Sequence, residues 1–423
     1  MPEPLIGIED YRRQAGKWLT ANLPRRDEVS RPDFDGASDE ELRRQIDAER
    51  AVQRRLYDAG YAGITWPVEY GGQGLPEEYE RAFAAEARGF RLPDFGIAGG
   101  TTFGVCARTM LAHGSPAFLR RHLPRILAGE ELFVQFFSDP EAGSDLAGVR
   151  TQAVRDGDRW LLSGSKIWSS GAYYADWGMC LARTDWDAPK HRGLTWFAVP
   201  VRAAGVTVQR IRQITGSAEF CQEFFDDVVL TDDDVIGEVN DGWTVTQTML
   251  LFERGGGGEA QPRAGGDARR LPADLVELAR SVGTLDDAHT QQLITRAHVD
   301  DVVRDQLMTR IGALMRLDPR LAAGVASYGK LASATFDPVR ANLALEIANG
   351  AASSWNGAGT PAARVVSDLL SSRFMAIAGG TSEMQRNSIG ERVLGLPREP
   401  SFDSGKPFRE VVRDAQNWSG KVS

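Results

Sequence analysis

The chain has 423 residues, 42% of them hydrophobic, enough for roughly three domains with sizeable cores. Its 49 basic and 58 acidic residues leave a net charge of −9, which argues against nucleic acid as the main partner, since phosphate recognition needs a basic face. An anionic small ligand is not excluded, because a local cluster of backbone N–H groups and one or two cations suffices for it.

The three cysteines (Cys106, Cys180, Cys221) are odd in number and widely spaced, so neither a disulfide framework nor a paired-cysteine metal site is expected. The five histidines contain no H-E-x-x-H pair. The N-terminal MPEPLIGIEDYRR has no apolar leader core and no run approaches a membrane span, so a soluble, cytoplasmic protein is expected.

Residues 1–130 read as helical. Ser38 with Glu41 has the pattern of a capping box, Leu42, Ile46, Val52 and Leu56 follow near helical spacing, and Gly60 is a stop. After the Gly/Pro break WPVEYGGQG (66–74), a second helical stretch begins near Pro76 and a third covers about 115–128, ending near Gly129. Residues 131–240 change character: short runs rich in Val, Thr, Phe and Trp alternate with turn signals. Asp156-Gly157 is expected as the centre of a hairpin turn with both residues at positive φ. LTWFAVPV (194–201), VTVQRI (206–211) and EFFDDVVL (223–230) read as strands. From 241 to 423 the helical pattern returns, with Val303, Leu307, Ile311 and Leu314 on one apolar face. The Gly/Arg-rich segment 254–272 between these parts reads as a mobile surface loop.

Four segments can carry chemistry. In QFFSDPEAGSD (135–145), small residues let a ligand approach the backbone, and Ser138 and Ser144 offer hydroxyls; a strand followed by an Asp-Pro turn is the plainer reading. In GSKIWSSG (164–171), Trp168 offers a flat face and Ser170 a nearby hydroxyl, though a buried tryptophan is as ordinary. In GGTSEMQRN (379–387), the two glycines precede a helix capped by Thr381 or Ser382, a potential anion site. In FER (252–254), Glu253 follows ten mostly apolar residues; burial there would raise its basicity, whereas an exposed Glu–Arg pair is the commoner outcome.

Together, the order and spacing of these motifs resemble the acyl-CoA dehydrogenase family, in particular its bacterial branch ending in G-G-T-S-E. The resemblance runs from about residue 50 to 400 and includes LYDAGYAGITWPVEYGGQGL, HLPRILAGEELFVQFFSDPEAGSDLAG, DGDRWLLSGSKIWSSGAYYADW, the GEVNDGW run and AGGTSEMQRNSIGERVLGLPRE. It implies an α+β multidomain fold: an N-terminal all-α domain (1–130), a middle β-barrel or sandwich domain (131–240) and a C-terminal four-helix bundle (241–423), with FAD between the last two. By matching motif positions, Gln135, Phe137, Ser138, Gly143 and Ser144 line the flavin and its pyrophosphate, Ser144 also facing the thioester arm. Trp168 packs on the isoalloxazine, Ser170 sits near flavin N5, and Thr381 and Glu383 match positions near the adenosine and pyrophosphate half. The implied reaction is α,β-dehydrogenation of an acyl-CoA to the trans-2-enoyl-CoA, as in lipid β-oxidation, with an electron-transfer flavoprotein receiving the electrons. No metal is implied.

Two departures from the family pattern matter. Many members place the catalytic Glu immediately before the Gly-Thr of the C-terminal motif, where this chain has Gly379; others place it on the bundle helix just before an Arg, which Glu253-Arg254 matches. Glu253 is therefore assigned as the base, Arg254 orients it or the substrate, and Glu259 is a lesser candidate. The R-x-x-F-G motif expected between 254 and 300, and the Q-x-x-G-G-x-G run expected near 345–357, are replaced by other residues. The cross-subunit flavin contacts are thus open, and both a homo-oligomer (dimer or tetramer) and a heterotetramer with a related subunit fit. An acyl-CoA oxidase or a flavin monooxygenase on the same fold is the competing activity.

Overall fold

The computed structural model describes residues 6–28, 38–253, 271–317, 322–353, 360–398, 400–401, 403 and 405–417. Its contacts divide the chain into two compact units, one of Met1–Arg212, Ser217–Met249 and Asp403–Ser423, the other of Gln213–Gly216 and Leu250–Phe402.

The first unit opens with helices α1 (Ile8–Asn22), α2 (Asp39–Asp58) and α3 (Glu77–Ala87). Tyr11, Ala15 and Leu19 of α1 recur every fourth residue and are buried, the pattern of a helix with one face on a core. Ser38 caps α2 by accepting the Glu41 amide at 3.3 Å; Leu42, Ile46 and Leu56 are buried, and Gly60 follows at φ +76°. The short α4 (Gly96–Gly99) continues through a π-helical segment, Gly100–Cys106, into α5 (Ala107–His113). Helix α6 (Pro116–Leu127) starts with Ser115 accepting the Phe118 amide and ends before Gly129, φ +76°.

The sheet comprises β1 (Phe133–Phe136), β2 (Gln152–Asp156), β3 (Arg159–Ser170), β4 (Trp177–Arg183), β5 (Leu194–Pro200), β6 (Val206–Ile211), β7 (Phe220–Thr231) and β8 (Val235–Ile236). Their order is β6-β7-β3-β2-β4-β5-β8, with β1 parallel to β4. The apolar run of β5 has a simple cause. Phe197 and Val199 enter the core beneath one face of the sheet, and Leu194, Trp196 and Ala198 enter a second core with α5 and α6 on the other. A strand covered on both faces reads as a continuous apolar run instead of an alternation. The β2–β3 turn is offset from the expected one: Asp156 pairs with Arg159, so Gly157 and Asp158 are central, and of these Gly157 alone has positive φ, +65°.

Helix α7 (Gly242–Glu253) runs from the first unit into the second; its N-terminal half is held by Trp196 Nε1 donating to Gly242 O at 2.9 Å and to Thr246 Oγ1 at 3.0 Å. The second unit also contains α8 (Ala273–Ser281), α9 (Ala288–Leu317), α10 (Ala322–Ala348), α11 (Pro361–Ser371) and α12 (Ser382–Arg392). Leu275, Leu278, Leu293, Ile294, Leu343, Ile347 and Val365 form its core. The apolar face expected on α9 is only partly covered: Ile311 is buried, but Val303 is 49% and Leu314 37% exposed. The last helix, α13 (Phe408–Gln416), groups with the first unit although the sequence placed it with the bundle. Phe408 and Arg409 donate their amides to Ala188 O and Trp186 O at 3.0 Å, and the Arg183 guanidinium lies 4.0 Å from the Phe408 ring centre. Among the described residues, no helix is long and apolar enough to cross a membrane.

Candidate active site

Strand β3 decides what Trp168 does. Trp160, Leu162, Lys166 and Ser169 point inward. Strict alternation from Lys166 would turn Trp168 inward as well, but the β3–β7 register shifts between Ile167 and Ser169, and Trp168 adopts φ +70°. A bulge of this kind adds one residue and re-aims the side chains around it. Trp168 is thereby 57% exposed, touching Phe220 edge-on at 6.1 Å between ring centres, while Ser169 is turned into the sheet. An exposed tryptophan held in a left-handed conformation is strained by about 1–3 kcal/mol.

Beside it lies the segment 135–145. Ile167 N donates to Ser138 O at 2.9 Å, tying the end of this segment to the bulged strand. Gln135 is half-buried on β1, and its Nε2 is buried with no hydrogen-bond partner, an orphaned donor that a ligand acceptor would satisfy. Phe137 and Ser138 are half-buried, Gly143 and Ser144 exposed, and a Cβ on Gly143 would meet nothing within 4 Å. Ser170, next to Trp168, is half-buried. Gln135, Phe137, Ser138, Trp168 and Ser170 thus share one region of the first unit, and their donor set suits a planar, acceptor-rich ring system such as an isoalloxazine.

Underneath is a buried polar cluster that the sequence reading passed over. The Lys166 ammonium donates to Asp139 Oδ1 at 2.6 Å and to Phe137 O at 2.8 Å, and both charged side chains are essentially inaccessible. Asp139 also accepts the Thr151 amide at 2.7 Å and the Thr151 hydroxyl at 2.9 Å. Glu223, opposite Lys166 on β7, accepts from Ser169 Oγ at 2.8 Å. Burial pushes the Glu223 carboxyl up to about 8, against the opposing pull of Ser169 and Lys166. Lys166 lies within GSKIWSSG, and its place in the alternation of β3 is the signal in the sequence that it is buried.

In the second unit, Gly379 and Gly380 have φ +65° and +92° and lead into α12, where Thr381 accepts the Met384 amide at 3.2 Å. Thr381 is half-buried and Glu383 exposed, 3.7 Å from Arg386. A Cβ built on Gly379 would stand 3.3 Å from Glu253 Oε1 and 3.3 Å from Lys330 Cε. The fold therefore brings the Glu253 carboxylate, at the C-terminus of α7, to the place from which a side chain at 379 would project. Glu253 itself is exposed within this chain. Arg254 and Glu259, and with them most of the 254–272 loop, lie outside the described residues. Among the described residues, no group of three or more His, Cys, Asp or Glu could hold a metal ion.

Helices, a mixed sheet and helices again make up an α+β multidomain architecture. The sequence matches the N-terminal, middle and C-terminal domain descriptions of acyl-CoA dehydrogenase over residues 34–130, 135–228 and 240–394. It is 36% identical over 93% of its length to acyl-CoA dehydrogenase IpdE1 of Mycobacterium tuberculosis, covering 98% of that protein. The chain belongs to the acyl-CoA dehydrogenase family. It is also 37% identical, over 83% of its length, to acyl-CoA dehydrogenase FadE34 of the same organism, but spans only 47% of that longer relative. Among solved structures, the Tcur3481-Tcur3483 steroid ACAD superposes with a TM-score of 0.69 at 27% identity, covering 93% of this chain and 98% of that one.

Proposed function

We propose that this chain desaturates an acyl-CoA thioester at its α,β bond, with Glu253 as the base that removes the α-proton. The observation that carries the assignment is the 3.3 Å approach of Glu253 Oε1 to the Cβ position of Gly379. Two base positions known from the resemblance, one on the bundle helix and one before Gly-Thr, converge on one point in this chain, and only the first holds a carboxylate. Bound FAD supplies the acceptor for the β-hydrogen. By their match to the family's motif positions, Gln135, Phe137, Ser138, Gly143, Ser144, Trp168, Ser170, Thr381 and Glu383 are the residues that would hold it. Trp168 presents its ring for stacking, Ser170 its hydroxyl, and Gln135 the unpaired amide donor. Ser144 and Arg254 would meet the thioester. Once substrate excludes water from Glu253, the carboxylate becomes a stronger base toward a weakly acidic C–H.

The likeness to the steroid ACAD supports a bulky, ring-bearing acyl group over a short straight chain, and the pairing of two components in that protein supports assembly with a second, related chain. The exposed Val299, Val303, Leu314 and Leu317 of α9 support assembly as well, since a helix apolar on more than one side is normally covered on more than one side. An electron-transfer flavoprotein is the proposed acceptor, and the cytoplasm the proposed location.

Holoenzyme mixed anaerobically with straight-chain, branched and steroid side-chain acyl-CoAs should lose its yellow colour most rapidly with the ring-bearing thioesters. Glu253→Gln should abolish the bleaching while leaving flavin content intact. Undiminished turnover in Glu253→Gln removes the base assignment, and peroxide release in air at the full turnover rate replaces the dehydrogenase by an oxidase.

A further inference from the structure

Gly379 is approached from two sides. Besides Glu253, the side chain of Lys330 on α10 passes it, with Cε 3.3 Å and Cδ 4.0 Å from the position of a Cβ. Lys330 is half-buried, and the residues one turn away on its face of α10 are small: Ala326, Ser327 and Ala334. At the end of the Lys330 side chain, Nζ donates to the carbonyl oxygen of Met375, in the turn Phe374–Ala376 just before the glycine pair. One donor of the ammonium is thus anchored, and its charge lies close enough to Glu253 for attraction between them to oppose the effect of burial on the lysine.

The chain commits an amine to this place at a cost. Holding a lysine fixed costs rotamer entropy, and half-burial disfavours its charged form. A Met would fill the same space at a similar entropic cost but without the penalty on a charge. What the amine adds is a positive charge at the carboxylate and a hydrogen-bonded brace on the turn that shapes Gly379.

We propose that Lys330 is the positioning residue of the active site: braced on the Met375 carbonyl, it holds the Glu253 carboxylate over Gly379, where the α-carbon of the acyl thioester is to be deprotonated. This rests on the reading of Glu253 as the base. Among the described residues, Asp337 further along α10 also acts on Lys330 and is paired with Arg304 of α9 at 3.3 Å, while Glu383 and Arg386 on α12 are paired with each other at 3.7 Å. Each of these acidic or basic groups has an opposite charge beside it, and Lys330 adds a positive charge that interacts with Glu253.

The test uses holoenzyme carrying Lys330→Gln, Lys330→Arg or Glu253→Gln. Gln keeps a donor for Met375 and removes the charge; Arg keeps the charge. In Lys330→Gln, the acid limb of the kcat–pH profile should move to higher pH by about one unit, a roughly tenfold loss below neutrality that recovers in alkali. Its KM should stay within about twofold, because the reacting carboxylate rather than substrate binding is affected. Lys330→Arg should keep the wild-type limb. A wild-type profile in Lys330→Gln, with Glu253→Gln inactive, overturns the role of Lys330 and leaves the base assignment standing. Full turnover in Glu253→Gln overturns both. Should Lys330→Gln lose its bound flavin or its folded circular dichroism, the Arg variant decides: a displaced limb there defeats the proposal, because the charge has been kept.

Discussion

Ser169 Oγ donates to Glu223 Oε2 at 2.8 Å, one residue beyond the point where Trp168 swings out of the sheet. The other oxygen of Glu223 is buried without a partner, and burial holds this carboxyl protonated up to about pH 8. In the unfolded chain, it ionises near its ordinary value of 4.5. Between these values the unfolded state releases a proton that the folded state keeps, so folding stability falls as pH rises through the window. The slope from this group approaches about 1.4 kcal/mol per pH unit. Glu223→Gln keeps a partner for Ser169 and has no proton to lose. Urea unfolding at several pH values between 5 and 8 should therefore show a shallower decline in the variant, and parallel curves would refute the assignment.

Trp168 should separate strain from function. Its φ of +70° suits glycine, and with 57% of the residue exposed little packing is lost on truncation. Trp168→Gly should leave the protein as stable as the parent or about 1 kcal/mol more so. The same change should reduce bound flavin, because the stacking face is gone. Thermal unfolding of the flavin-free protein reads the first effect and the flavin-to-protein ratio the second. A marked fall in stability would mean that the ring is a core element instead.

These two residues also show what the sequence discloses and what it hides. The strands were readable because Val206–Ile211 and Leu194–Pro200 carry pattern over consecutive residues, and α2 because Ser38 and Glu41 supply a local cap. Trp168 could be picked as a flat face from its motif, but its outward turn depends on a register shift against β7, which no local pattern announces. Glu253 was selected by likeness to a motif; that its carboxylate and the Lys330 chain both approach the Cβ position of Gly379 is a matter of three elements distant in sequence. The α9 pattern was real, yet the chain alone covers only part of that face. Periodicity says that a face is apolar, not what covers it.

Lys166 and Asp139 form a pair whose partners are both inaccessible, and the loss of one leaves the other as a buried, uncompensated charge. Lys166→Met should destabilise the first unit by about 3–5 kcal/mol. The double variant Lys166→Met/Asp139→Asn should recover part of that, since the stranded charge is neutralised while Asn can still accept from the Thr151 amide now bonded at 2.7 Å. Denaturant unfolding of the two variants measures this directly; a double variant less stable than the single would show that hydrogen bonding by Asp139, and not charge, governs the site.

Gly379→Ala tests the crowded point between Glu253 and Lys330. A methyl group there carries two penalties: a left-handed backbone at φ +65°, and contacts of 3.3 Å to the carboxylate oxygen and to the lysine chain. Gly395 provides the control, because it has nearly the same φ, +69°, but a Cβ there would meet nothing within 4 Å. Both alanine variants should lose about 1–2 kcal/mol of stability from backbone strain. Only Gly379→Ala should also lose turnover, because it displaces Glu253 by a few tenths of an ångström or more at the reacting position, where small misplacements are expensive. Steady-state kinetics of the two variants, at temperatures where both remain folded, separates the effects. Equal turnover in both would show that the carboxylate at Gly379 does not take part in the chemistry.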